Sequence, residues 1–88
     1  ELNAADLIQY SGTYELQKGF EIEITAEGKL IFAQATGQPK FELYAEKTDT
    51  FFLKVVPASI DFNKDAEGKV ISLTLHQGGR DIIGKKIK

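Results

Sequence analysis

Three serines, one histidine and a modest surplus of carboxylates are the residues here whose types could do chemistry, and their spacing limits what that chemistry is. The residues three positions beyond Ser11, Ser59 and Ser72 are Tyr14, Phe62 and Leu75, so no Ser-x-x-Lys pair sets a base beside a hydroxyl. Neither a Gly-x-Ser-x-Gly elbow nor a Lys-Thr-Gly element occurs. His76 falls on the outward phase at a strand end, before Gln77-Gly78-Gly79. A general base needs a nucleophile and an orienting carboxylate, and the sequence marks neither beside it, so it reads as an exposed polar residue. There is no cysteine, which removes thiolate nucleophiles, disulfides and Cys-based zinc sites. No catalytic residue, cofactor or metal is expected.

Other clusters also read as structure. Asp61 to Gly68 superficially resembles a calcium loop, but the glycine and bidentate glutamate positions of an EF-hand hold Ala66 and Ser72. It reads as a strand running into a hairpin turn. Glu21 and Glu23, like Glu42 and Glu46, share one outward strand face, whereas glycoside hydrolysis needs carboxylates opposed across a cleft. Thr36-Gly37-Gln38-Pro39 lacks the Lys-Ser/Thr and following helix of a phosphate loop. Gly37, Gln38 and Pro39 are instead a candidate loop at one end of the fold. Gly78-Gly79 followed by Arg80 suits a hairpin turn better than an anion site.

Composition bounds the rest. Eighty-eight residues make one domain, spanning 1–88, with room for a modest core. Hydrophobic residues are 42% and charged residues 27%, with a formal net charge of -2, a balance that argues against disorder. A mildly acidic chain lacks the basic face that nucleic acid requires. No apolar run is long enough for a membrane helix, and no signal peptide opens the chain. Position 1 is Glu and there is no methionine, so a processed or excised piece of a longer protein is expected.

The elements that must position these residues are strands. Asn3 suits a helix N-cap, and Ala4 to Gln9 form a short helical turn that Ser11-Gly12 ends. From Thr13 the apolar pattern has period two. The expected inward residues are Tyr14 and Leu16; Phe20, Ile22 and Ile24; Leu30 and Phe32; Phe41, Leu43 and Ala45; Phe51, Leu53 and Val55; Ile60 and Phe62; and Ile71, Leu73 and Leu75, with Ile83 and Ile87 closing the list. Short links, most containing glycine, separate these runs, which indicates an antiparallel meander with no crossover helix. The fold class is therefore all-β: an eight-stranded up-and-down meander closing into a small barrel, with a short N-terminal helix. Closure removes exposed edges. An open, strongly coiled meander is the alternative. Ala26-Glu27-Gly28-Lys29-Leu30 and Ala66-Glu67-Gly68-Lys69-Val70 echo each other, by duplication or by shared turn chemistry.

Some apolar residues fall on the outward phase. Ile31, Tyr44, Phe52 and Val56 lie on three successive strands and are a candidate interface patch, because exposed apolar patches usually mark contact sites.

Several phrases together carry a family resemblance. They are Tyr10-Ser11-Gly12-Thr13-Tyr14-Glu15-Leu16, Leu30 through Thr36-Gly37-Gln38-Pro39, Phe41-Glu42-Leu43, Phe51-Phe52, Ile60-x-Phe62, and Gly68-Lys69-Val70 through Leu73-Thr74-Leu75-His76-Gln77-Gly78-Gly79-Arg80. In order and spacing the chain resembles the small lipocalin-like all-β domain of unknown function attached C-terminally to bacterial serine hydrolases of the β-lactamase and penicillin-binding-protein class. The resemblance implies a non-catalytic accessory module whose partner is an N-terminal hydrolase domain carrying the nucleophile and base. It also implies a periplasmic, secreted or membrane-associated setting. A lipocalin-like binding module for a small apolar or peptide ligand is the other reading, with a homo-oligomer left open. Interior volume separates the two readings.

Overall fold

A computed structural model describes residues 4–88. The proposed N-cap, Asn3, lies outside the described residues. Helix α1 (Ala4–Ile8) leads into eight strands: β1 (Gly12–Gln17), β2 (Phe20–Glu27), β3 (Leu30–Ala35), β4 (Lys40–Lys47), β5 (Thr50–Leu53), β6 (Ala58–Lys64), β7 (Val70–Gln77) and β8 (Arg80–Lys86). Each strand pairs antiparallel with the next, and β8 returns to β1, so the sheet is a closed barrel in simple sequence order. Closure answers the alternative of an open meander.

The turns set the register. Gly28-Lys29 and Gly78-Gly79 are two-residue links, with Glu27 opposite Leu30 and Gln77 opposite Arg80. Gly28 has φ 62° and Gly78 and Gly79 have 60° and 78°, the left-handed conformations that tight hairpins require. The β6–β7 link is built differently: Asp65 Oδ1 accepts from the backbone N–H groups of Glu67 and Lys69, both at 2.9 Å. That carboxylate therefore organises a turn. The two Ala-Glu-Gly-Lys echoes thus occupy turns of different construction.

The core contains Leu7, Tyr10, Tyr14, Ile22, Ile24, Ile31, Ala33, Leu43, Phe51, Ile60, Phe62, Val70, Leu73 and Leu75, all buried. Phe51 and Phe62 face inward as expected, and Phe20 and Phe41 are half-buried on the same side. Phe32 does not. In β3 all of Leu30, Ile31, Phe32 and Ala33 are apolar, so composition leaves the phase undetermined. The Gly28-Lys29 turn settles it by placing Ala33 opposite Ile24 and Ile31 opposite Ala26. Ile31 is therefore core, 3% exposed, and drops out of the candidate interface. Phe32 stands outside with the Lys40 ammonium 5.0 Å from its ring centroid, and Leu30 is exposed.

Three further departures have local causes. Between Asn63 and Lys64 the β6–β7 register shifts, which carries Ile71 outward and turns Val70 into the core. Strand β5 ends at Leu53, so Val55 lies exposed in the following turn. In β8 the inward positions are Ile82 and Gly84, opposite Leu75 and Leu73, while Ile83 and Ile87 are exposed. A Cβ on Gly84 would come within 3.1 Å of the Leu16 side chain, so the glycine lets Leu16 pack against the β8 backbone.

The barrel has unlike ends. Tyr10 and Leu7 seal the end that carries the β2–β3, β4–β5 and β6–β7 links. Tyr10 donates from its phenol to Asp49 Oδ1 at 2.5 Å, and its ring lies 5.2 Å from Phe51 and 4.5 Å from Phe62. The other end stays open.

This packing predicts unequal costs for two phenylalanines. Phe62→Ala should lose about 3–5 kcal/mol of stability, as buried aromatics generally do. Phe32→Ala should lose about 1 kcal/mol, since it gives up an exposed cation–π contact and partial burial. Denaturant midpoints of both variants check the difference.

Candidate functional site

Strands that leave the sealed end converge at the open one on a cup of about 110 Å³. Its walls are Phe20 and Ile22 of β2, Ala33 and Ala35 of β3, Phe41 of β4, Leu53 of β5, Ala58 and Ile60 of β6, and Leu75 of β7. Val56 closes one side from the β5–β6 turn, and Gln38 and Gln77 supply carboxamides at the rim. The inward phase of each strand explains the apolar walls. Small side chains at 33, 35 and 58 explain the space, because their cross-barrel neighbours do not fill it. Among the described residues, no charged side chain lines the cup.

Of the candidate loop residues, Gln38 thus reaches the cup. Gly37 sits beside it with φ 75° in the turn, where Gln38 N donates to Ala35 O at 3.0 Å, and Pro39 is exposed. The candidate interface is divided. Tyr44 and Phe52 are opposite each other on β4 and β5, outside the barrel, with ring centroids 5.8 Å apart. Lys54 Nζ lies 4.1 Å from the Tyr44 centroid. Val56 faces the cup instead, since the chain turns inward after Leu53.

A second polar arrangement crosses the outer face. His76 Nδ1 is 2.7 Å from Asp81 Oδ1, and His76 Nε2 is 2.7 Å from Asp61 Oδ2. Thr50 donates to Asp61 Oδ1 at 2.6 Å. The network joins β5, β6, β7 and β8. Both carboxylates favour the imidazolium, Asp81 most, and raise the His76 pKa above 6.5. The Thr50 hydroxyl first, then His76, lowers the Asp61 pKa below 3.8. A ring with both nitrogens on carboxylates has no free lone pair with which to deprotonate a hydroxyl. Ser59, opposite His76 across the β6–β7 ladder, makes no hydrogen bond to it among the described residues. Ser11 donates to Ile8 O, and Ser72 accepts from Asn63.

Sequence spacing alone gives His76 no carboxylate partner. The Gly78-Gly79 turn held the missing signal: a two-residue link puts position 76 opposite 81. Asp61 needed the β6–β7 register as well, because it faces Thr74 and reaches His76 diagonally.

The pKa directions give a stability profile. The folded His76 pKa is raised, so its contribution is complete below the ordinary imidazole value and is lost as pH rises through the folded value. The folded Asp61 pKa is lowered, so its contribution holds above the ordinary carboxylate value and is lost as pH falls through the folded value. The network should therefore help most between 3.8 and 6.5. Thermal stability of the unsubstituted chain should fall as pH rises above 6.5 through the raised His76 value, and His76→Gln should flatten that slope.

Comparison with known proteins follows from this geometry. No solved structure matches the chain. Among curated proteins it is similar to Penicillin-binding protein 4* of Bacillus subtilis (strain 168), 26% identical over 80 residues. That alignment covers 91% of this chain but 18% of the relative, so the chain spans less than a fifth of that protein's length. The family model described as "Domain of unknown function (DUF3471)" matches residues 1–86, and the chain belongs to that family.

Proposed function

We propose that this chain is a non-catalytic accessory domain of a longer protein, packed on or shaping access to a serine-hydrolase domain of the β-lactamase and penicillin-binding-protein class. The observation that carries this reading is the similarity to a penicillin-binding protein across nearly all of this chain and only a small part of that protein. The side-chain geometry supports the non-catalytic half: the sole imidazole is occupied at both nitrogens. The same reading sets the parent protein in a periplasmic, secreted or membrane-associated location.

The outer Tyr44–Phe52 ring pair is the docking surface this reading favours. Phe52 has its ring beside Tyr44 outside the barrel, where the core gains little from it. A lipocalin-like calyx enclosing a whole ligand is less favoured. Ligand pockets generally run from about 300 Å³ upward, and this cup is about 110 Å³.

Two outcomes are expected. The 88-residue chain should neither open a chromogenic cephalosporin nor cleave a p-nitrophenyl ester; turnover that Ser59→Ala or His76→Gln abolishes would overturn the non-catalytic reading. Phe52→Ser should change the unfolding free energy of the chain by no more than about 1 kcal/mol. In the full gene product it should weaken docking by about 2 kcal/mol, typical of a central interface aromatic. Limited proteolysis of the segment joining the two domains reads that loss as faster cleavage. Unchanged cleavage would remove this surface.

A further inference from the structure

We propose that the open end of the barrel is a socket for one uncharged apolar side chain, branched aliphatic or aromatic, presented by a peptide segment. The proposal does not rest on the docking reading above.

Size comes first. A cup of about 110 Å³ is too small for a drug-sized ligand. It is close to the apolar cavities of about 150 Å³ known to take up benzene. One branched or aromatic group would fill it, and the rest of the occupant must lie outside the mouth. Shape agrees: the deep wall is made by Ile22, Ile60 and Leu75, and the half-buried Phe20 and Phe41 rings flank the opening.

Chemistry of the rim comes second. The carboxamides of Gln38 and Gln77 make no hydrogen bond to any described residue. Each offers both donors and an acceptor, the complement of a peptide group. No charged side chain is among the described residues lining the cup, so a charged terminus drawn inside it would lose water without gaining a partner there. A neutral amide backbone beside the buried side chain matches that rim. A free hydrocarbon would use the walls and leave both exposed carboxamides to water.

The test uses the 88-residue chain, with the methyl resonances of Ala33, Ala35 and Ala58 as reporters. N-acetyl-phenylalaninamide or N-acetyl-leucinamide should shift them saturably, with a dissociation constant of about 1 mM for so small a ligand. N-acetyl-glycinamide should not, and zwitterionic phenylalanine should bind more weakly. Ala35→Leu and Ala58→Leu each fill the cup from a different wall. Whichever of them keeps the barrel's spectrum should weaken binding by about tenfold or more. Gln77→Leu should weaken the capped amides and spare toluene. Absence of saturable shifts with both amides, equal shifts with the glycine compound, or undiminished binding in the filling variants would overturn the socket. Toluene binding as tightly as the amides would overturn the peptide source and leave a site for free hydrocarbons.

Discussion

The barrel depends on Tyr10. Its ring occupies the sealed end against Phe51 and Phe62, its phenol donates to Asp49, and its own carbonyl accepts from the Tyr14 phenol at 2.7 Å. Asp49 is in turn bonded by Lys64 Nζ at 3.0 Å, and its carbonyl accepts from Phe62 N at 2.8 Å. One residue thereby ties the segment after α1 to β1, the β4–β5 turn, β5 and β6. Asp49 is the non-glycine residue with positive φ, 65°, among those described, and these contacts hold it there. Burial pushes the Tyr10 and Tyr14 phenols above their ordinary range, so both remain neutral donors. Edge-on ring contacts of about 1 kcal/mol each, added to the area buried, are a sizeable share of a total stability of about 5–15 kcal/mol.

That seal concentrates order at one end and leaves the other to small residues. Ala33, Ala35 and Ala58 stand where larger side chains would complete the core, and the cup follows from them. On the outside, the His76 network uses four strands' worth of backbone to hold one charge in place. Its chemistry is that of a cross-strand clasp, since each ring nitrogen already has its acceptor.

The eight strands and their order were legible because period-two apolar alternation and glycine turns are local signals. The phase of β3 was not, because four consecutive apolar residues from Leu30 to Ala33 satisfy either face. Only pairing with β2 chooses Ile31 over Phe32. Ile71 was misplaced for a related reason: a bulge depends on the partner strand, and the sequence of β7 alone alternates without a break. At the open end Gln38 was legible as a loop residue, but Gln77 and Val56 were not legible as its companions. Their meeting is a product of closure, which no single strand records.

Closure has a kinetic side. Seven ladders join strands adjacent in sequence, and each can form as a hairpin as soon as its own residues are available. The eighth joins Tyr14 to Lys86 and Glu15 to Lys85, bridging almost the whole chain. Gly12 belongs to this seam: with φ 145°, a Cβ there would lie 2.5 Å from the Lys88 carbonyl oxygen. The β1–β8 ladder closes the largest loop in the fold, whereas each of the other seven closes a short one. Long-range pairing of this kind slows folding, because loop-closure entropy is spent before the contact forms. A barrel lacking this seam would leave β1 and β8 as two bare edges, open to strand addition by a second chain. The same seam makes the strand order cyclic, so the cylinder has no first or last strand left with a bare edge.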